Sequence, residues 1–211
     1  MTYLPPHFRV DDPDRITSLI EQHPLAHVVA HTGEGLQAHH IPLLIDERAG
    51  VHGTLIGHVA RNNELWRTAA GTEVLAIFQA ADAYITPNWY PSKQETHEVV
   101  PTWNYAVVHA WGPLIVHDDE KWVRGAVGKL THAMERRNEH PWKMGDAPQP
   151  YLREMLHEIV GIEIPLTRVV GKWKASQNRT DADRKGAIAG LERRDEPGDR
   201  VMARIMAAND E

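Results

Sequence analysis

Cysteine is absent from the 211 residues, which removes disulfides, thiolate zinc sites, iron–sulfur clusters and a cysteine nucleophile together. No apolar run approaches the roughly 18–20 residues that span a bilayer. The opening Met1-Thr2-Tyr3-Leu4-Pro5-Pro6 has no basic segment leading into an apolar stretch. No signal peptide is expected, and a cytoplasmic location is. Basic charge is also in deficit, with 23 Lys and Arg against 29 Asp and Glu, a formal net charge of −6. DNA-binding domains usually carry a basic face, because phosphate contacts supply much of their affinity. The densest basic spots, Arg136-Arg137 and Arg193-Arg194, both have acidic neighbours. DNA stays open as a partner, but net charge does not support it. A small anion held at one local positive site is permitted.

Several motifs are missing too. Neither GxGxxG nor GxxxxGK[ST] occurs, so Rossmann and P-loop readings lose their main support. There is no HExxH and no GxSxG elbow. Histidine is abundant, at 14 copies, yet His27 and His31 in a strand stand roughly 13 Å apart. No mononuclear metal site is expected, while haem ligation by a single histidine stays open.

What is present is an ordinary globular composition, 42% hydrophobic. Residues 14–22 read as a helix, then 25–31 and 36–45 as a hairpin around Gly33-Glu34-Gly35. Further strands are expected at 51–59, 74–79, 83–86, 102–117 with a break at Gly112-Pro113, and 161–173. A helix over 62–70 is expected to close at Gly71. Residues 87–99 read as an irregular loop. Asp118-Asp119 caps a helix running to about Arg137, and a short helix covers 151–159. The tail, 180–194 and 199–208, is charged and helical. Consecutive strands with few intervening helices predict a mainly β, α+β architecture, a closed antiparallel barrel with peripheral helices. The expected division is a barrel domain over 1–175 with a helical extension, 176–211, packed on it.

Four segments carry chemistry. In Gly57-His58-Val59-Ala60-Arg61-Asn62-Asn63 a strand runs into a helix start, where free amides and an arginine fork suit an anion. A helix cap with a solvated arginine is the commoner meaning of such a turn. In Gln37-Ala38-His39-His40-Ile41-Pro42-Leu43, alternation puts His39 and Ile41 on one face, His40 and Pro42 on the other. The proline opens the backbone ladder, so the strand can offer N–H and C=O groups to a planar ring, but a half-buried strand with satisfied histidines is the plainer reading. Residues 84–93 and 99–105 mix aromatics with amides and prolines, which suits a flat heteroaromatic ligand or a dimer interface. Residues 171–179 gather Lys172, Lys174, Ser176, Gln177, Asn178 and Arg179, a set able to bind phosphate or pyrimidine edges, or simply a solvated exit from the barrel.

These stretches, in this order, resemble the PaiB-like FMN-binding negative transcriptional regulators. The matching signatures are Tyr3-Leu4-Pro5-Pro6-His7-Phe8, His40-Ile41-Pro42-Leu43-Leu44, Gly57 to Asn63, Ala76-Ile77-Phe78-Gln79, Ala83 to Tyr90, Val100 to Tyr105 and Lys174 to Arg179. The resemblance implies the FMN-binding split barrel, related to pyridoxamine phosphate oxidases, with FMN at the interface of a two-fold homodimer. It implies that His39, His40, Ile41 and Pro42 face the flavin and that His58, Ala60, Arg61 and Asn62 hold its phosphate end. Gln79 would lie near the ring system. Trp103, Asn104, Gln177 and Asn178 are further contributors from neighbouring strands or the partner subunit. Repression of transcription follows from the family and from no residue here. A flavin-dependent oxidoreductase acting on a small molecule is the alternative.

Overall fold

The computed structural model describes residues 3–208. Ten strands and seven α-helices occur in it. In chain order they are β1 (Arg9–Val10), α1 (Pro13–Gln22), β2 (Leu25–Thr32), β3 (Gly35–Pro42), β4 (Leu44–Asp46) and β5 (Thr54–Ala60). Next come α2 (Leu65–Thr68), β6 (Glu73–Ile85), α3 (Ser92–Thr96), β7 (Thr102–Pro113), β8 (Ile115–His117), α4 (Glu120–Glu135) and α5 (Gln149–His157). The chain closes with β9 (Ile159–Pro165), β10 (Arg168–Lys174), α6 (Asp181–Arg194) and α7 (Asp199–Ala207).

Two compact units divide the chain. The first comprises Met1–Leu19, Gln79–Val108 and Val170–Glu211. Its strands lie in the order β1, β10, β7, β6, with Arg9 opposite Lys172. Its core packs Ile85, Tyr90 and Ala175 against Ala187 and Leu191 of α6 and Met202 and Met206 of α7. Thr180 caps α6 by accepting from the Asp183 amide. The corner between α6 and α7 is tied by Arg194, which pairs with the buried Asp199 at 2.5 Å and donates to the Tyr84 carbonyl. Residues 87–99 are not a plain loop. They form a 3₁₀ turn and α3, and Trp89 fills a notch on α6 where Gly186 and Gly190 have no side chains. Tyr90 is only 2% exposed. Proline-rich segments usually run on the surface, but here two glycines one helical turn apart admit an indole.

The second unit comprises Ile20–Phe78 and His109–Val169. In it β7, β6, β2 and β3 lie side by side, and β4, β5, β9 and β8 form a four-stranded antiparallel sheet. β2 and β3 make the expected hairpin, with Val28 opposite His39. The alternation along β2 buries Ala26, Val28 and Ala30. Asp119 caps α4 by accepting from the Trp122 amide, as the sequence predicts.

The structure moves four boundaries. The 36–45 strand breaks after Pro42, and the Leu43 amide turns to the Pro24 carbonyl. The 51–59 strand starts at Thr54, because Gly53 sits at φ 83°, a turn conformation. The 74–79 and 83–86 pieces fuse into one strand, β6. The 161–173 strand is two, β9 and β10. Between them the Leu166 and Thr167 amides turn to the Gly53 and Trp111 carbonyls.

Candidate functional site

β5 ends in a bend that the surrounding chain fastens on all sides. His58 is paired opposite Gly161, and Ala60 opposite Ile159, so the end of β5 is zipped to the start of β9. The Arg61 amide continues that zip to the Glu158 carbonyl. Asn63 then accepts the Leu65 amide at 2.9 Å, and Trp66 donates its indole N–H to the Arg61 carbonyl. The helix expected over 62–70 is reduced to the single turn Leu65–Thr68, because the Asn63 side chain holds the preceding residues out of it. Gly71, at φ 72°, closes the segment as expected.

Arg61 does not stand solvated at this bend. Its Nε donates to the His157 carbonyl at 2.5 Å, and Nη2 donates to the Ile159 carbonyl. Nη1 and Nη2 grip the two carboxylate oxygens of Asp118 at 3.0 and 2.6 Å. Four of its N–H groups are thereby engaged within the protein, out of the five a guanidinium carries. The Arg61 hydrogen bond holds the Asp118 carboxyl below the ordinary carboxylate range. Nothing in sequence pairs these residues, which stand 57 apart. Ala60 and Asn62 point to the exposed side of the bend, Arg61 and Asn63 inward.

β3 packs beside β5 in the same unit. Their closeness depends on Gly57, since a Cβ there would stand 2.8 Å from the Pro42 carbonyl and 2.7 Å from Leu43. Alternation along β3 is as the sequence predicts. Ile41 is buried and His39 half-buried on one side, while His40 is exposed on the other. His40 meets the cross-strand His27 ring edge-on at 4.8 Å. His39 Nδ1 lies 3.4 Å from the Asn63 amide, so β3 and the β5 bend share a polar contact. His39 Nε2 and His58 Nδ1 are both fully buried and without a hydrogen-bond partner. Burial lowers the pKa of both rings from the ordinary imidazole value, with the neighbouring His40 adding to the shift at His39. Both are neutral near pH 7 and each offers one donor and one acceptor nitrogen.

The remaining expected residues belong to the first unit. Gln79 is exposed and bonds Asp82 at 3.0 Å. Trp103 is 55% exposed and meets Tyr84 edge-on. Asn104 is buried and donates to Ser176 Oγ. Gln177 spends its amide locally, accepting from the Ala175 amide and donating to the Trp173 carbonyl. Asn104 and Asn178 line one small cavity together. Asn63, Asp118 and Arg179 also bear on these two places. Asn63 had a signal, since an Asn two residues before a helix start is a turn-former.

The model of the family described as "Putative FMN-binding domain" matches residues 2–168. The chain is 31% identical over 208 residues to the protease synthase and sporulation protein PAI 2 of Bacillus subtilis, covering 97% of this chain and 96% of that one. Among solved structures, it is similar to the FAD and heme binding protein from Mycobacterium smegmatis. That likeness has a TM-score of 0.60 at 18% identity, over 86% of this chain and 80% of the other. The flavocytochrome Anf3 from Azotobacter vinelandii superposes with a TM-score of 0.59 at 10% identity, over 82% and 70%. At these identities the structural likeness shows the fold, a mixed α+β split barrel of two antiparallel sheets.

Proposed function

The chain belongs to the FMN-binding domain family, and from that premise we propose that it is a PaiB-type flavoprotein that holds FMN against β3 and the β5 bend. One observation carries the placement. His39 Nε2 and His58 Nδ1 are buried polar atoms without partners, on two strands that pack together. Native proteins rarely leave such atoms unpaired, and a bound group with matching donors and acceptors removes the cost. The donor set fits a flavin, whose ring edge and ribityl chain present both kinds of group to a neutral imidazole.

Within that reading each residue has a task. His39 and His58 pair with the cofactor, and Asn63 fixes the His39 ring through Nδ1. Ala60 and Asn62 offer the exposed side of the bend to the phosphate end. Arg61 positions rather than binds: by gripping Asp118 and two carbonyls it holds the bend in shape. Flavin, when bound, supplies hydride or single-electron chemistry. The protein works as a homodimer in the cytoplasm and serves regulation, as the PaiB likeness suggests. Direct DNA contact is not part of the proposal, given the net charge of −6.

The test is a titration of the purified chain with FMN, followed by flavin fluorescence, with mass spectrometry of any ligand released on denaturation. His58→Ala and His39→Ala are each expected to weaken FMN by about tenfold or more, the cost of one lost buried partner. Folded protein that ignores FMN, or variants that bind it as tightly as the parent, would refute the placement. Arg61→Ala is expected to weaken FMN and lower the melting temperature together, because its role is to order the bend.

A further inference from the structure

The first unit contains a cavity of about 100 Å³ between residues 100–104 and 174–179, lined among others by Thr102, Asn104, Lys174, Ser176, Asn178 and Arg179. We propose that it is a second binding site, for a small oxyanion that carries its own proton donor, of the hydrogen phosphate class. It goes beyond the flavin site proposed at β3 and the β5 bend, and it reassigns Asn104 and Asn178, which the family resemblance had given to the flavin.

Size comes first. About 100 Å³ is less than the ~150 Å³ cavity that takes benzene. A tricyclic isoalloxazine is excluded, and a tetrahedral oxyanion is admitted. Polarity comes next. Asn104 is 1% exposed, and its Nδ2 donates to Ser176 Oγ at 2.9 Å. Its Oδ1 is buried without a partner. That atom accepts only, so the occupant must bring an N–H or O–H.

Charge then selects among donors. Lys174 donates to Thr102 Oγ1 and, at 2.6 Å, to the Trp103 carbonyl, which leaves one N–H of its ammonium for the cavity. Burial, and then the nearby Lys172 and Arg179, lower its pKa, a sign of uncompensated positive charge. Arg179 lies over the Tyr90 ring at 5.1 Å. Asp183, an acid whose charge acts on Arg179, also accepts from the Ser92 amide and hydroxyl, and its single charge stands against those of Lys172, Lys174 and Arg179. A cationic donor is unfavourable in this surplus, and an anion is favourable. Sulfate and carboxylate are anions without a proton to give near pH 7, whereas hydrogen phosphate has one. The turn that shapes the cavity is itself strained. Ser176 sits at φ 64°, a left-handed conformation that few residues other than glycine adopt, and such strain gathers at ligand clamps.

Isothermal titration calorimetry of the full chain with inorganic phosphate, and separately with sulfate, tests the site. Phosphate is expected to bind with one-to-one stoichiometry, and sulfate about tenfold more weakly or worse. Lys174→Gln and Arg179→Gln are each expected to weaken phosphate by about tenfold while leaving the FMN titration unchanged. Asn104→Ala is expected to erase the preference for phosphate over sulfate. Should that variant fail to fold, the two cation variants still decide. Absence of phosphate binding at millimolar concentration, equal binding of both anions by the parent, or indifference to both cation variants would overturn the proposal. So would competition between saturating FMN and phosphate, because it would make the cavity part of the flavin site. A chain that binds phosphate but not FMN would sink the flavin reading and leave this one standing.

Discussion

Single residues set the protein's response to acid. Burial is the largest cause lowering the pKa of His23, His39 and His58. In the unfolded chain such rings take up protons as pH falls through about 6.5, whereas in the folded chain they do so only at lower pH. The unfolded state therefore binds more protons in that window, and stability falls as pH drops below about 6.5 and is flat above it. Urea midpoints measured at about pH 5.5 and about pH 7.5 should show the loss. His58→Gln should reduce the difference between them, and an unchanged difference would show that His58 does not contribute. The abundance of histidine was plain in the sequence, but which rings are desolvated was not. His39 and Ile41 on one face of a strand could be read from alternation alone. The Arg61–Asp118 grip could not, because it is made by the ends of two elements that chain distance separates.

At the scale of elements, missing side chains decide which surfaces meet. A methyl at Gly190 would overlap the Trp89 indole, and one at Gly161 would overlap the Trp122 ring. Gly161→Ala and Gly190→Ala should therefore each destabilise the fold by about 1–3 kcal/mol, the usual cost of overpacking. Thermal unfolding of the two variants checks this, and a parental melting temperature in either would show that the aromatic ring has room to move. Trp122 already stacks on His117, with ring centroids 3.9 Å apart, so its freedom to retreat is small. Most element types were readable from local pattern, including the cap at Asp119. The boundary at Gly53 shifted where a positive φ makes a turn, and those at Pro42 and Leu166 where a backbone amide found a partner remote in sequence. The aromatic loop at 87–99 misled for the same reason. Its prolines signal an exposed surface, whereas two glycines a hundred residues later take Trp89 in.

For the molecule as a whole, the homodimer proposed above would use the sheet face that β2 and β3 present. Trp89 and Tyr90, from a segment whose composition suited a dimer interface, are consumed by the first unit's core. Instead Leu36 is 76% exposed and Leu25 59% exposed on this hairpin, and β3 ends the strand order. Exposed apolar edge strands are normally covered or charged. Light scattering at micromolar concentration should report a dimer, and Leu36→Lys should shift it toward monomer. A parent that is monomeric would contradict the proposed assembly. The C-terminal helices give a second whole-molecule prediction. The family match stops at residue 168, yet α6 and α7 supply Leu191, Met202 and Met206 to a core with Ile85 and Tyr90. A chain ending at residue 175 should be poorly soluble or unfolded by circular dichroism. If it is folded and as stable as the full chain, those helices are dispensable.

Among the described residues no helix is long and apolar enough to cross a membrane, in keeping with the absence of long apolar runs. Alternation and capping residues by themselves determined most element types, the α+β class and the facing of β3, because these depend on neighbours a few positions apart, while the family likeness was carried by whole motifs in their order along the chain. Tertiary structure alone decided that Arg61 would be a clamp, that His39 Nε2, His58 Nδ1 and Asn104 Oδ1 would be buried without partners, and that a small cationic cavity would close around residues 174–179. Each of those outcomes depends on desolvation and on partners brought from far along the chain, and neither is encoded in local spacing.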